Sequence, residues 1–173
     1  RRAIRSGSRV PGPRRKPLGS PGPDLWIGRR FTRASTSSKH AAMHVLDGRI
    51  ALVTGGTYGV GGGVARALAD AGAQVFVTGR SVPDGGIAER ITGIRCDHRH
   101  DGEVARAFEL IARDAPGLDV LVNCVWGGYE RMVVDGAFTW TKPFWEQPAW
   151  RWDAMFAAGV RAHYVASQAA AKS

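Results

Sequence analysis

The chain has 173 residues, of which 44% are apolar, and this is enough for one folded domain with its own hydrophobic core. No apolar stretch is long enough to cross a bilayer, so the sequence predicts no membrane partner. The formal net charge of +9 resembles that of a nucleic-acid-binding protein, but it divides into +10 for residues 1–46 and −1 for residues 47–173, so the near-neutral part argues against nucleic acid as the partner.

Residues 1–43 form a segment rich in Arg, Pro, Gly and Ser, which we call the basic tail. Five prolines between Pro11 and Pro23 prevent a stable helix, and the tail has few apolar side chains to bury. We therefore predict a disordered tail followed by a folded domain over residues 44–173. The composition of the tail is also that of an organelle transit peptide; the alternative is an extension with no structural role.

Three short apolar runs, at residues 50–53, 75–77 and 120–122, predict strands. The runs are continuous rather than alternating, which is typical of parallel strands covered on both faces. A fourth, weaker candidate spans residues 91–96, where Gly93 interrupts the apolar pattern.

Apolar side chains recur at helical spacing between these strands, within residues 64–71 and again within residues 104–115. We expect Asp101 to be the N-cap of the second helix, and we expect a short helix between the second strand and residues 91–96. The order of elements predicts an α/β fold with a doubly wound parallel sheet, in which ligands bind at the carboxyl ends of the strands.

A glycine-rich segment from Thr54 to Gly61 follows the first predicted strand and opens the first predicted helix. Glycine lets the chain turn sharply and lets the backbone approach a ligand, while the start of the helix offers free N–H groups and a positive dipole end. A diphosphate is the ligand that this arrangement suits. The residues expected to contact it are Gly55, Thr57, Tyr58, Gly59, Val60 and Gly61.

Residues 97–101 contain two His and two Asp, which raises the question of a metal site. Alternating neighbours in a short loop seldom converge on one ion, so we interpret the segment as a solvated turn and predict no metal site. Cys96 and Cys124 lack the spacing of a metal or disulfide motif, so we expect reduced thiols and a cytoplasmic protein.

The pattern T-G-x-x-x-G-x-G that begins at Thr54 resembles the glycine motif of the short-chain dehydrogenase/reductase family. Asp97 matches the family's acidic residue after the third strand, and Asn123 matches the first residue of its Asn-Asn-Ala-Gly motif, which here continues Cys-Val-Trp. The resemblance implies a Rossmann fold, with cofactor contacts at both positions. Residues 144–146, 152–153 and 161–164 are similar to the branch typified by dehydrogenase/reductase family member one.

Arg80 lies at the end of the second predicted strand, where NAD enzymes place a carboxylate against the ribose 2′-hydroxyl. A carboxylate there would repel a 2′-phosphate, whereas a guanidinium binds one through two charge-assisted hydrogen bonds. Ser81 adds a hydroxyl donor. We therefore expect NADP (NADPH) as the cofactor rather than NAD.

The resemblance implies hydride transfer between the nicotinamide and a carbonyl or alcohol substrate, with a Tyr as general acid/base and a Lys four residues later. The only tyrosines of the chain are Tyr58, Tyr129 and Tyr164, and none has a Lys four positions on. We assign no catalytic residue, and we expect the chain to be inactive alone because it stops before the family's Tyr-Lys pair.

Residues 126–148 carry six aromatic side chains, which either wall an apolar substrate pocket or pack the last helix against the sheet. That last helix carries apolar residues over a wide arc, and the resemblance implies that it pairs subunits in a full-length homo-oligomer.

Three functions are compatible with the sequence. The first is part of an NADP-dependent oxidoreductase with a small carbonyl or alcohol substrate, which we favour. The second is a non-catalytic NADP-binding sensor or regulatory protein, and the third is an interaction protein whose basic tail binds nucleic acid or membrane.

Overall fold

The structure is a computed structural model and describes residues 44–173. The predicted disorder of the basic tail lies outside the described residues. Five strands form the main sheet: β1 Ile50–Thr54, β2 Gln74–Gly79, β3 Gly85–Ala88, β4 Ile91–Arg95 and β5 Val120–Asn123. All four predicted strands are present in this set, together with β3, which was not predicted.

The sheet has the strand order β3-β4-β2-β1-β5, and all neighbours are parallel except β3, which runs antiparallel to β4. The chain therefore leaves β1 in one direction to build β2 and β4, and then crosses to the other side of β1 to build β5. A crevice for ligands forms at the carboxyl ends of strands where the order reverses in this way, which here is between β1 and β5.

Helix α1 (Gly59–Asp70) and helix α2 (Asp101–Asp114) cover opposite faces of the sheet. Ile50 and Leu52 of β1 belong to the apolar cluster beneath α2, whereas Ala51 and Val53 belong to the cluster beneath α1. All five residues of β1 are buried. The sequence of β1 is continuously apolar because both faces of the strand are covered, as predicted.

The chain after β5 forms a small hairpin, β6 (Val133–Val134) and β7 (Ala137–Phe138), followed by 3₁₀ turns at Thr139–Thr141 and Phe144–Glu146. It ends in a run of helix made of α3 (Ala149–Met155), a π-helical stretch (Phe156–Arg161) and α4 (Ala162–Ala170). In the part of the chain that the structure describes, none of the helices combines the length and apolar character needed to span a bilayer.

Two local predictions were wrong. The segment between β2 and β4 is the edge strand β3 and not a short helix, because Gly85, Gly86 and Ala88 pair with β4 instead of closing a helical turn. Asp101 is the first residue of α2 rather than its N-cap, and its carboxylate pairs at 2.6 Å with both terminal nitrogens of Arg161.

Gly93, which made the prediction of β4 weak, has a packing reason. A Cβ at this position would overlap the carbonyl oxygen of Pro83 and lie 2.5 Å from Cγ1 of Val82. The loop that leads from β2 to β3 therefore needs a residue without a side chain inside β4.

Candidate cofactor-binding site

The glycine-rich segment turns at the carboxyl end of β1 and packs against the residues that follow β5. Gly55 has a φ of +66° and Gly59 a φ of +57°, conformations that glycine adopts without strain. A Cβ on Gly55 would lie 2.8 Å from the carbonyl carbon of Cys124, and a Cβ on Gly61 would overlap the carbonyl oxygen of Gly55. The glycines thus allow the turn to fold back tightly against the start of α1.

The N-terminus of α1 is left open by this turn. The residue before the helix, Tyr58, makes no side-chain hydrogen bond to the helix, and its side chain is 64% exposed. Val60 in the first helical turn is 79% exposed. Because the first N–H groups of an α-helix have no acceptor within the helix, they are available to an anion at this position.

Thr57 connects the turn to the end of β2. A Cβ on Gly79 would lie 2.5 Å from the hydroxyl oxygen of Thr57, so the absence of a side chain on Gly79 makes room for that hydroxyl. Arg80 and Ser81 follow directly and are both exposed. The structure therefore brings Thr57, Arg80 and Ser81 to the same edge of the sheet as the glycine turn.

An open depression of about 460 Å³ lies beside this edge, at the carboxyl ends of β2 and β4. Three basic and three acidic side chains line it, so it suits a polar ligand better than an apolar one. The residues that line it are Arg80, Asp84, Arg95, Asp97, Glu103 and Arg106.

Asp97 is held in place at the rim of this depression. Its two carboxylate oxygens accept hydrogen bonds of 2.5–3.1 Å from the guanidinium of Arg99, and its backbone N–H donates to Oε2 of Glu103 at 2.8 Å. The bonds from Arg99 outweigh partial burial and lower the pKa of Asp97 to about 2. Asp97 is therefore an ionised acceptor at neutral pH.

Asn123 is the last residue of β5, which pairs with β1 on the side away from β2, and its side chain makes two hydrogen bonds. Its side-chain N–H group donates to the hydroxyl of Ser167 at 3.2 Å, and its side-chain oxygen accepts from the hydroxyl of Thr54 at 3.4 Å. The backbone N–H of Cys124 donates to the same Thr54 hydroxyl at 3.1 Å. Asn123 thus ties β1, β5 and α4 together at the edge where the glycine turn begins.

His98 was part of the segment interpreted as a solvated turn, and for this residue the interpretation was wrong. Its side chain is only 3% exposed, and Nε2 lies 2.8 Å from the hydroxyl of Thr78, near the end of β2. His100 is exposed instead and lies 3.0 Å from Glu103. The two imidazoles therefore point to different surroundings, and within residues 44–173 no group of three His, Cys, Asp or Glu side chains is placed to hold a metal ion.

Glu130 is a site residue that the sequence did not reveal. It lies in the segment after β5, yet its Oε1 is 3.3 Å from Nη2 of Arg80. Nothing in the pattern around Glu130 predicts this contact, because the loop that carries it has neither helical nor strand periodicity.

The aromatic segment 126–148 has contacts of both expected kinds. Trp126 packs on the last helical run, since a Cβ on Gly159 would lie 3.0 Å from its ring, and Tyr129 stacks on Trp140 with ring centroids 5.5 Å apart. Phe144 and Trp145, in contrast, are 87% and 80% exposed. Part of the segment is therefore packing, and part is free aromatic surface.

A buried arginine anchors this segment to α3. Arg151 is 5% exposed, and its guanidinium donates to the hydroxyl of Thr139 at 2.6 Å and to Oε1 of Gln147. The guanidinium carbon also lies 5.1 Å from the ring centroid of Trp140 and 5.4 Å from that of Trp150. Its partners are neutral, so the contact combines hydrogen bonds with cation–π attraction.

The folded part of the chain is similar in sequence to known proteins. A model of the short chain dehydrogenase family matches residues 49–173. Dehydrogenase/reductase SDR family member 1 is 36% identical in Homo sapiens and 35% identical in Mus musculus, in each case over 131 residues that cover 70% of this chain and 41% of that protein. The chain therefore spans less than half the length of these curated relatives.

Solved structures give the same result. A short-chain dehydrogenase/reductase from Serratia marcescens BCRC 10948 superposes with a TM-score of 0.58 and is 29% identical, covering 73% of this chain and 53% of that one. The superposition covers about half of the length of that chain.

Proposed function

The chain belongs to the short-chain dehydrogenase family, and from that premise we propose that it is the nucleotide-binding part of an NADP-dependent oxidoreductase. The whole protein would transfer a hydride between the nicotinamide and a small carbonyl or alcohol substrate. The observation that carries the proposal is the open N-terminus of α1 behind a glycine turn at the carboxyl end of β1.

The turn suits the diphosphate of a dinucleotide for two reasons. Gly55 and Gly61 let the turn fold back tightly against α1, whereas a Cβ on Gly59 would meet nothing within 4 Å, so a phosphate can approach the backbone at the start of the helix. The free N–H groups at Gly59, Val60 and Gly61 lie at the positive end of the α1 dipole and would stabilise the negative charge. Thr57 and Tyr58 border the same turn and would contribute hydroxyl groups.

Arg80 supports NADP rather than NAD. More than half of its side chain is exposed at the end of β2, and no carboxylate occupies this position in the strand. A guanidinium there attracts the 2′-phosphate of NADP(H). Ser81 is the next residue in the chain, and its hydroxyl would donate a further hydrogen bond to the same phosphate. Asp97, ionised at the rim of the adjacent depression, would accept a hydrogen bond from the adenine amino group.

The bound nicotinamide would supply the hydride acceptor or donor. The residues of this chain bind and orient the cofactor, and Asn123 keeps β1, β5 and α4 in the arrangement that the site requires. We assign no proton-transferring residue in this chain, because none of its three tyrosines has a Lys four positions later.

The oligomeric state and the cellular location belong to the same proposal. Four apolar side chains of the helical run 149–170 are 43–63% exposed, which supports pairing of subunits in the whole protein. They are Trp152, Phe156, Val160 and Tyr164. The free thiols of Cys96 and Cys124 support a cytoplasmic location.

Titration with the two reduced nucleotides tests the cofactor assignment. Because a 2′-phosphate adds charge-assisted hydrogen bonds to Arg80, we expect NADPH to bind roughly tenfold or more tightly than NADH. Replacing the guanidinium by a carboxylate in Arg80→Asp should reverse that order, as measured by calorimetry or by the fluorescence of the bound nucleotide.

Arg113→Asp is the matched control, since Arg113 lies in the last turn of α2 and the charge change is the same. It should leave the preference for NADPH unchanged. Equal affinities for NADPH and NADH in the unsubstituted chain would contradict the assignment of NADP, and binding of neither nucleotide would contradict the proposed function itself.

A further inference from the structure

Arg80 is already engaged by a carboxylate that comes from the other side of the glycine turn. Its Nη2 lies 3.3 Å from Oε1 of Glu130, and about half of each side chain is exposed. Arg80 follows β2 and Glu130 follows β5, and these two strands flank β1 in the sheet. The ion pair therefore spans the carboxyl end of β1, where the glycine turn lies.

The loop that carries Glu130 is fixed from its own side of the site. Oε2 of Glu130 accepts a hydrogen bond of 2.9 Å from the backbone N–H of Gly128, which has a φ of +90°. A Cβ on Gly128 would lie 3.0 Å from Cγ of Met155, and a Cβ on Gly127 would lie 2.5 Å from the carbonyl oxygen of Ala154. Both glycines thus sit tightly against α3, and the helix positions the carboxylate.

Two further charged residues, Arg99 and Asp97, interact electrostatically with this pair. Partial burial opposes ionisation of Glu130, but the backbone N–H groups of Glu130 and Gly128 and the charges of Arg80 and Arg99 hold the pKa of its carboxyl below the usual value. Asp97 is also within electrostatic reach of Arg80. Glu130 is therefore an anion at neutral pH that faces two guanidinium groups.

We propose that Glu130 is a specificity-determining residue that competes with the 2′-phosphate of NADP(H) for Arg80. The inference rests on the proposed function. A phosphate that approaches Arg80 meets a guanidinium already paired with one carboxylate, and it must displace Glu130 from that guanidinium to bind. Glu130 thus makes the preference for NADPH smaller than Arg80 alone would give, while the binding of NADH, which has no 2′-phosphate, is little affected.

The substitution Glu130→Gln removes the competing charge and keeps the shape of the side chain. Because a half-exposed ion pair is worth little, we expect NADPH to bind the variant about two- to fivefold more tightly, whereas the affinity for NADH should change less than about twofold. The measurement is a direct titration of the unsubstituted chain and the variant with NADPH and NADH at one fixed salt concentration.

Glu146→Gln is the matched control, because Glu146 is an exposed carboxylate of the same segment that lies in the 3₁₀ turn Phe144–Glu146. It changes the net charge equally and should leave both affinities unchanged. If Glu146→Gln increases the affinity for NADPH as much as Glu130→Gln does, the effect is one of overall charge, and the proposal is overturned.

A double-variant cycle separates action through Arg80 from any other effect of Glu130. In the background of Arg80→Ala, Glu130→Gln should no longer raise the affinity for NADPH, because the shared partner is gone. A gain that persists without Arg80 would overturn the proposal. If the unsubstituted chain prefers NADPH but Glu130→Gln leaves the NADPH/NADH ratio unaltered, this inference fails and the proposed function stands; if neither nucleotide binds, the proposed function fails with it.

Discussion

His98 is a side chain whose protonation the fold opposes. Its imidazole is almost completely buried beside Thr78, and in the described part of the chain Nδ1 has no hydrogen-bond partner. Burial lowers the pKa of His98 from 6.5 to about 4; the nearby charges of Asp97 and Glu103 act in the opposite direction, and His163 adds to the lowering. The imidazole is therefore neutral in the folded protein at neutral pH.

This predicts an acid-sensitive contribution to stability. The pKa of His98 is lower in the folded state than in the unfolded state, so between pH 6.5 and pH 4 the unfolded chain binds more protons and the free energy of unfolding falls as the pH falls. The loss attributable to His98 should be roughly 2 kcal/mol between pH 7.5 and pH 5. Urea titrations followed by circular dichroism at the two pH values measure it.

The variant His98→Gln cannot be protonated and should lose less stability than the unsubstituted chain over this pH interval. His100→Gln is the control, because it removes an exposed imidazole and keeps the buried one, so it should retain the loss of stability attributed to His98. Identical pH dependence for the unsubstituted chain and His98→Gln would rule out this role for the imidazole.

Among individual residues, those fixed by a local pattern were predictable, and those fixed by tertiary contacts were not. The glycines of the turn could be found because a tight turn between strand and helix demands them at set positions. Glu130 and His98 could not, because their partners Arg80 and Thr78 lie 50 and 20 positions away in the sequence, and their own neighbours carry no periodicity.

Helix α1 shows that glycines in one element have different reasons to be there. Gly61 and Gly63 are two positions apart in the same helix, but a Cβ on Gly61 would overlap the carbonyl oxygen of Gly55, whereas a Cβ on Gly63 would meet nothing within 4 Å. One glycine is required by packing, and the other only lowers the helix propensity.

We therefore expect opposite effects from the same substitution. Gly61→Ala should destabilise the chain by about 2 kcal/mol or more through overpacking and should weaken nucleotide binding, because the turn must shift. Gly63→Ala should stabilise the chain by up to about 1 kcal/mol, since alanine is the better helix former. Thermal denaturation of both variants under one condition checks the prediction, and a similar sign for the two would contradict it.

Elements with a buried apolar run were predicted, and elements at the rim of the sheet were not. Both faces of β1 and β2 are covered, so these strands need continuous apolar runs, and such runs indicate a buried strand clearly. β3 consists of Gly85, Gly86, Ile87 and Ala88, is mostly exposed, and follows from its pairing with β4 rather than from any preference of its own residues. The π-helical stretch Phe156–Arg161 likewise has no signal in the sequence.

Within the described residues, β5 is an edge strand, and no strand pairs with its outer edge. The sheet order ends at β5, and all four residues of this strand are only half-buried, whereas β1 beside it is fully buried. Unpaired N–H and C=O groups along such an edge form a template for another strand. Trp152 and Phe156 of the final helical run, whose ring centroids stack 4.1 Å apart, are exposed and add apolar surface.

We predict that this chain, expressed alone, associates with itself as its concentration rises. Size-exclusion chromatography with light scattering over a range of concentrations should give a mass above 18.6 kDa, the mass of one chain. A monodisperse monomer with a sharp, cooperative thermal transition would disprove the expectation.

The contacts of Arg151 that hold the aromatic segment against α3 should depend less on pH than the contacts around His98. The partners of Arg151 are hydroxyl, amide and indole groups, which do not titrate in mild acid. Mild acid should therefore loosen the surroundings of His98 while Thr139, Gln147 and Trp140 stay fastened to α3. In acid, we expect unfolding to begin at the face of the sheet that α2 covers, while the aromatic segment stays bound to α3.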